Sequence, residues 1–245
     1  DRAKNEAALM GFKTKPQIIS EKIYQWNKIN NGNTILKMNI FSGSFIYSYD
    51  WQNNQVILLG KSLPGKEEAI KEGKSFLRKG QVIEEDVLQG RSEVTYLKAL
   101  GGKLLPAMSL SEANFAQIEM FRKNIDELPV LTSSPNKGII SILISGTSEY
   151  EKRIVKVEFN YFPIKYDSFG TYPIKSADEA WQELKSGQGF IADWQGTGIK
   201  ATIRKIYLAY FDSEKPQKFL QPIIVFEGDN NFIAYIPAII SQWHL

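Results

Sequence analysis

The last third of the chain has a clear order of elements, and this order constrains the fold more than any other feature of the sequence. Ser176 precedes Glu179 by three residues, a spacing typical of the capping box that begins a helix, and Gly187 follows the apolar stripe of that helix. Short runs rich in aromatic and β-branched residues then predict strands at about 189–194, 199–211, 221–227 and 231–238. The stretch therefore predicts one helix packed on an antiparallel sheet.

A similar order occurs earlier in the chain. The segment from Lys66 to Gly80 has acidic residues in its first turn, basic residues in its last turn and an apolar stripe at helical spacing, which predicts a second amphipathic helix. The runs around it predict strands at about 18–26, 34–41, 44–50, 56–59, 91–99, 114–123, 138–145 and 153–162. The predicted fold class is α+β, with two similar modules that each pack one helix on a face of a curved antiparallel sheet.

A boundary between the two modules is expected at Leu128–Pro129, because proline interrupts helices and strands and a turn at 133–138 follows. We therefore expect an N-terminal module at residues 1–128 and a C-terminal module at residues 129–245. We therefore expect a tandem repeat, in which both modules share the same order of helix and strands.

The residue content excludes several classes of active site. The chain has no cysteine and one histidine, His244, which is the residue before the C-terminal one. The body of the chain therefore lacks the residues for a Ser–His–Asp or Cys–His catalytic site. It also lacks those for a metal site built on histidine or cysteine. We expect no enzymatic activity, no catalytic residue, no cofactor and no metal site.

Two kinds of short motif resemble catalytic or nucleotide-binding patterns, but their neighbours predict turns. Ser134-Pro-Asn-Lys137 has the Ser-x-x-Lys spacing of acyl enzymes, which requires the serine at a helix start. Its proline and asparagine, with Gly138 after it, predict a turn instead. The Gly-x-Gly-x-x-Ala matches at 187–192 and 196–201 lead into predicted strands, whereas a dinucleotide site opens a helix.

Paired carboxylates would permit glycoside hydrolysis without histidine or cysteine. Acidic residues stand close together at Glu84–Asp86, Asp126–Glu127, Asp178–Glu179 and Asp212 with Glu214. The pair at 178–179 begins a predicted helix and the others lie in predicted turns, which favours structural roles. Gly228–Asn231 lacks the acidic ligands of a calcium loop and predicts the turn of a hairpin.

Charge and hydropathy limit the partners. The net charge is +3, from 30 basic and 27 acidic residues that are interspersed, so we expect no nucleic-acid binding. The longest apolar run, Phe232 to Ile240, is too short to span a bilayer and contains Pro237. We expect the chain itself to be soluble.

The strands of the C-terminal module carry Leu220-x-Pro222, Val225-Phe226-x-Gly228 and Tyr235-x-Pro237-Ala238 after the predicted helix. This stretch resembles the C-terminal module of the YycI-type extracytoplasmic regulators, whose modules are related to the PepSY domain. The segment from Lys66 to Gly80 with its flanking strands resembles a less similar copy. Those regulators are membrane-anchored partners of a bacterial sensor kinase. The resemblance implies a cell-envelope location, an anchor upstream of Asp1 and a protein partner.

Aromatic residues of the C-terminal module give the one positive indication of an interface. Tyr207 and Tyr210 point to opposite faces of one predicted strand, so a helix, a neighbouring module or a partner is expected on each face. The candidate interface residues are the tryptophans and tyrosines of this module, namely Trp181, Trp194, Tyr207, Tyr210 and Tyr235, with Trp243 beyond them.

We therefore expect a non-enzymatic extracytoplasmic bacterial protein that regulates or scaffolds by contact with a membrane or envelope protein. Two alternatives stay open on the sequence. One is a cell-envelope module that holds a peptide or glycan on its aromatic residues. The other is a peptidase inhibitor, which follows from the PepSY resemblance alone.

Overall fold

The computed structural model describes residues 1–28, 33–60, 62–197 and 200–240. Within these ranges the chain forms five α-helices: α1 (Arg2–Leu9), α2 (Gln55–Leu58), α3 (Lys66–Lys79), α4 (Glu85–Leu88) and α5 (Ala177–Lys185). It forms fourteen strands there: β1 (Gln17–Ile18), β2 (Ile23–Lys28), β3 (Thr34–Asn39), β4 (Phe45–Tyr49), β5 (Ser92–Leu100), β6 (Lys103–Pro106), β7 (Phe115–Met120), β8 (Val130–Leu131), β9 (Ile140–Ser145), β10 (Ile154–Phe159), β11 (Phe190–Asp193), β12 (Ile203–Phe211), β13 (Gln221–Gly228) and β14 (Phe232–Pro237).

The chain divides into two units, each with its own sheet. The first unit comprises residues 1–122 and 139–162, and the second comprises 123–138 and 163–245. The first holds a nine-stranded antiparallel sheet in the order β1-β2-β3-β4-β10-β9-β7-β5-β6. The second holds a five-stranded sheet in the order β11-β14-β13-β12-β8, antiparallel except for the pair β12–β8. These sheets and their packed helices confirm the predicted α+β class.

Helix α3 packs closely on the larger sheet because its inward stripe is small. Ala69, Gly73 and Leu77 are the buried residues of the helix. A Cβ atom at Gly73 would lie 3.1 Å from Met120 Cε and 3.2 Å from Ile118 Cδ1, side chains of β7. The glycine therefore lets the helix backbone approach the sheet, over a core that is rich in isoleucine and aromatic residues.

The segment Val56–Leu59 was expected to be a strand, and this prediction was wrong. Residues 55–58 form the short helix α2, whose N-terminus is capped where the Asn54 side chain accepts from the Ile57 amide at 3.3 Å. Ile57 is fully buried among Tyr49, Phe115 and their neighbours, on a second cluster of the larger sheet. A short apolar run is compatible with either a helix or a strand. Here the Asn54 cap and the burial of Ile57 favour the helix.

Strands β9 and β10 join the larger sheet, although the sequence places them after the predicted boundary at Leu128–Pro129. They pair with each other and lie between β4 and β7. The structure thus divides the chain at 122/123, 138/139 and 162/163. Strand pairing does not test where an independently folding module begins, so the modules 1–128 and 129–245 stay a prediction.

In the smaller sheet, local sequence signals and structure agree closely. The Glu179 carboxylate accepts from the Ser176 amide at 2.8 Å, and the Ser176 hydroxyl accepts from the Glu179 amide at 3.3 Å, which completes the predicted capping box. The Ser176 amide and the Ser176 hydroxyl, which also donates to Glu179 Oε2 at 2.8 Å, stabilise the carboxylate and hold the pKa of Glu179 below its usual value. The predicted hairpin is also present, since β13 and β14 pair across a turn in which Asn230 and Asn231 have positive φ.

Each face of the smaller sheet carries an apolar cluster. Helix α5 covers one face through Ala180, which packs with Phe226 and Ile236 and their neighbours. The opposite face holds Ala209 and Val225, both fully buried, with adjoining side chains from β11 to β14. The sheet is therefore apolar on both faces, as the alternation of aromatic residues along β12 predicts.

Candidate functional site

Where the structure describes them, the motifs that resembled catalytic patterns form a turn or lead from a turn into a strand. Ser134 lies in a bend and turn at 133–136, and its carbonyl accepts from the Lys137 amide at 2.9 Å. The motif at 187–192 follows α5 and enters β11, with Gly187 at a φ of 81°. The motif at 196–201 lies partly outside the described residues, and His244 lies wholly outside them.

Several of the acidic residues have structural roles. Asp178 and Glu179 are in the first turn of α5, as expected. Asp86 is buried and forms an ion pair with Arg122 inside the first unit. Within the described ranges, no group of three or more histidine, cysteine, aspartate or glutamate side chains is arranged to hold a metal ion.

The five candidate interface residues lie on two faces of the smaller sheet. Trp181 and Trp194 contact Phe226 and Phe232 respectively, on the face covered by α5. The tyrosines at 207 and 235 belong to the cluster on the opposite face. Tyr210 is half-buried where β12 pairs with β8. Trp243 lies outside the described residues. Their role in an interface stays a prediction.

Tyr235 is part of the interior, not of an open aromatic surface. It is 3% exposed and packs near Phe190 and Phe211, with ring centroids at 6.0 and 6.2 Å. Burial raises the pKa of its phenol. Among the described residues its hydroxyl finds no hydrogen-bond partner. The hydroxyl therefore carries a desolvation cost that no bond offsets there.

Tyr235→Phe is expected to leave the free energy of unfolding unchanged or to raise it by up to about 1 kcal/mol, because it removes a buried polar group without a partner. Tyr207→Phe is the matched control on the same face. The Tyr207 hydroxyl donates to Glu227 Oε1 at 2.6 Å, so its removal is expected to lower the free energy of unfolding by about 1–2 kcal/mol. Urea denaturation measures both. A clear loss of stability in Tyr235→Phe contradicts the expectation.

The four outer strands of the two sheets differ in how well their free edges are protected. An exposed edge pairs readily with another chain, and short length, lysine and proline oppose this. Strand β1 has two residues and follows Pro16, and β8 has two residues and follows Pro129. Strand β6 contains Lys103 and Pro106. Strand β11, with the sequence Phe-Ile-Ala-Asp, has neither lysine nor proline.

Strand β11 also presents apolar side chains on both faces of its free edge. Phe190 is 50% exposed and lies opposite Tyr235, on the face away from α5. Ile191 is 47% exposed and lies opposite Ala234, on the α5 face, where Trp194 follows it. In the described part of the chain, β14 is the one strand that pairs with β11. We refer to Phe190, Ile191 and Trp194 with the unpaired backbone of β11 as the β11 edge.

Trp194 is among the candidate interface residues expected from the sequence, whereas Phe190 and Ile191 are not. A strand with two large apolar residues and no lysine or proline was visible in the sequence. Its position at the end of the sheet was not, because strand order depends on pairing between distant segments.

The first unit contains a cavity of about 630 Å³ beside α3. Its charged lining residues have both signs: Lys28, Lys71, Lys79, Glu68, Glu72 and Glu151. Glu72 accepts from Arg153 Nε and Nη2 at 2.6 and 2.7 Å, which satisfies its carboxylate. The mixture of charges favours no single class of ligand.

Comparisons with known proteins assign this chain to no family. No protein-family model matches it, and no curated protein matches it. Among solved structures, the Bacillus megaterium YpeB C-terminal domain matches over 97% of this chain and 91% of that chain, with a TM-score of 0.34 and 8% sequence identity. Similarity at this level establishes neither a family nor a function. In the described ranges, no helix has the length and apolar character needed to cross a membrane.

Proposed function

We propose that this chain is a non-enzymatic binding protein of the bacterial cell envelope, which acts outside the cytoplasm as a regulatory or scaffolding partner of another protein. The observation that carries the proposal is the β11 edge. Among the outer strands of the described sheets, β11 is the one that has four residues and exposed apolar side chains but neither lysine nor proline. Strand addition at such an edge is a common way for one protein to bind an extended segment of another.

The geometry of β11 defines what the partner segment would supply. Its backbone would hydrogen-bond to the free side of β11, and its side chains would alternate between the two faces of the sheet. Apolar side chains on one face would contact Phe190, and those on the other would contact Ile191 and Trp194. The partner is therefore a protein with an exposed segment of apolar residues, not a nucleic acid or a small polar molecule.

Residue content and sequence resemblance support the rest of the proposal. A chain without cysteine and with one histidine lacks the side chains of the commonest hydrolase mechanisms. The absence of cysteine is compatible with an exported protein. The resemblance of residues 172–238 to the extracytoplasmic PepSY-related modules supports the envelope location and the action through a partner.

Cross-linking tests the proposal directly. A photo-reactive amino acid at Ile191 is expected to form an adduct with one envelope protein, whereas the same group at Phe219 is expected to form none. Phe219 is the matched control site because it is 57% exposed and lies between β12 and β13, outside the β11 edge. Phe190→Lys is expected to weaken capture of that partner about tenfold or more, since it adds a charge to the edge. Phe219→Lys is expected to leave capture unchanged.

Equal cross-linking at the two sites, or capture that survives Phe190→Lys, would exclude the β11 edge as the interface. Retention on insoluble peptidoglycan that Phe190→Lys does not change would favour the glycan-binding alternative. Unchanged circular dichroism of both lysine variants is the check that the fold is intact.

A further inference from the structure

A second cavity of the first unit has an apolar floor and charges of one sign. It measures about 430 Å³ and lies between α1, the segment that follows α1, the outer strand β1 and its neighbour β2. Phe12 and Trp26 form its most buried part, at 3% and 1% exposure. Tyr24 lies beside Trp26, with ring centroids 6.2 Å apart. The floor is therefore aromatic and rigid, because both buried rings belong to the core of the unit.

The charged side chains that line this cavity in the described structure are all lysines, namely Lys4, Lys13 and Lys15. None of the three forms an ion pair or a side-chain hydrogen bond with any described residue. Other lysines of the chain do have such partners, as Lys98 has in Glu112 and Lys175 in Glu183. Three uncompensated cations around one concave surface create a local positive potential that attracts an anion.

The cavity also keeps an apolar side chain in contact with solvent. Ile18 is 66% exposed and lines the opening next to the lysines. Ile18 lies opposite Tyr24 in the pairing of β1 with β2, and the Tyr24 ring lies beside Trp26, so apolar side chains extend from the buried floor to the exposed strand. Ligand sites commonly combine an apolar lining of this kind with a few polar groups that fix orientation.

We propose that this cavity binds an anionic amphiphile, a molecule with one acyl chain or comparable apolar group and one acidic head group. The apolar part lies on Phe12, Tyr24 and Ile18, and the acid group lies among Lys4, Lys13 and Lys15. Charge complementarity selects the sign of the head group, and the apolar floor selects against anions without a tail. This site is in the first unit and is independent of the β11 edge of the second.

Titration calorimetry with dodecanoate, below its micelle concentration, tests the proposal on the 245-residue chain. One molecule is expected to bind per chain. Dodecyltrimethylammonium has the same tail and the opposite charge, and it is expected to bind at least about tenfold more weakly. Acetate and a hexaglutamate peptide, which have charge without a tail, are expected to show no saturable binding. Higher salt is expected to weaken dodecanoate binding, since the head-group contact is electrostatic.

The triple variant Lys4→Gln, Lys13→Gln, Lys15→Gln locates the site. It is expected to lower the affinity for dodecanoate about tenfold at an unchanged unfolding midpoint, because these side chains make no ion pair in the described structure. The triple variant Lys66→Gln, Lys200→Gln, Lys218→Gln removes the same charge from exposed positions outside the cavity and is expected to leave the affinity unchanged. Equal losses in both variants, equal binding of the cationic amphiphile, or no dodecanoate binding by the wild type would each overturn the proposal.

Discussion

Arg122→Met is expected to lower the free energy of unfolding by about 3–5 kcal/mol, because it leaves the carboxylate of Asp86 buried without its cation. Both residues of this ion pair are almost completely enclosed. The guanidinium also donates from Nη2 to the Phe162 carbonyl at 2.9 Å and lies 4.7 Å from the ring centroid of Tyr161. One side chain therefore connects α4, the end of β7 and the segment after β10.

Chemical denaturation followed by circular dichroism measures this loss. Arg204→Met is the matched control, since Arg204 forms a bidentate pair with Asp229 at 2.8 and 2.7 Å on the surface. Water screens that pair, so the control is expected to keep a midpoint close to that of the wild type. Adding Asp86→Asn to Arg122→Met is expected to recover part of the loss, because the buried charge is then removed. An Arg122→Met midpoint equal to that of Arg204→Met would show that the buried pair contributes nothing.

Gly90→Ala is expected to lower the free energy of unfolding by about 3 kcal/mol. A Cβ atom at Gly90 would lie 1.9 Å from the Phe121 carbonyl oxygen and 2.9 Å from the Arg122 carbonyl carbon. Both atoms are backbone, held where the Phe121 amide donates to the Arg91 carbonyl at 2.9 Å. The backbone at Phe121 cannot move away from an added Cβ atom without breaking that hydrogen bond. Alanine lowers the conformational entropy of the unfolded chain, which stabilises the folded protein by only about 0.4–1 kcal/mol. The clash therefore dominates.

Gly65→Ala is the control for this substitution. A Cβ atom there would meet nothing within 4 Å, and the residue is the N-cap of α3 with ordinary φ. The expected loss is about 1 kcal/mol or less, from the preference of N-cap positions for glycine over alanine. Equal unfolding midpoints for the two alanine variants would rule out a backbone clash at Gly90.

The elements that sequence reasoning predicted well are those that local signals specify. The capping box of Ser176 and Glu179 lies within one helical turn, and the hairpin turn after Gly228 needs only residues whose backbone tolerates positive φ. Helix α3 was predicted from its apolar stripe and its charges at both ends. In each case the information lies within about fifteen neighbouring residues, and tertiary contacts agree with it.

The features that the sequence did not reveal all depend on distant pairing. Asp86 and Arg122 are 36 residues apart, and no local pattern relates them. The β11 edge exists because β11 is last in its sheet, which follows from its pairing with β14 alone among the described strands. The helix α2 forms where burial of Ile57 outweighs a strand-like sequence. Non-local packing therefore decided both the partner choice of strands and the candidate binding edge.

The position of β9 and β10 in the larger sheet also sets an order of events during synthesis. Strands β1–β4 and strands β5–β7 meet only through this later pair in the described sheet. A nascent chain that has emerged as far as residue 128 lacks β9 and β10, so neither β4 nor β7 has its partner on that side of the sheet. Those edges close when residues 140–159 leave the ribosome, after residues 123–138 of the other unit have already emerged. Until then the unpaired edges of β4 and β7 are open to wrong pairing, as unpaired strand edges in general are.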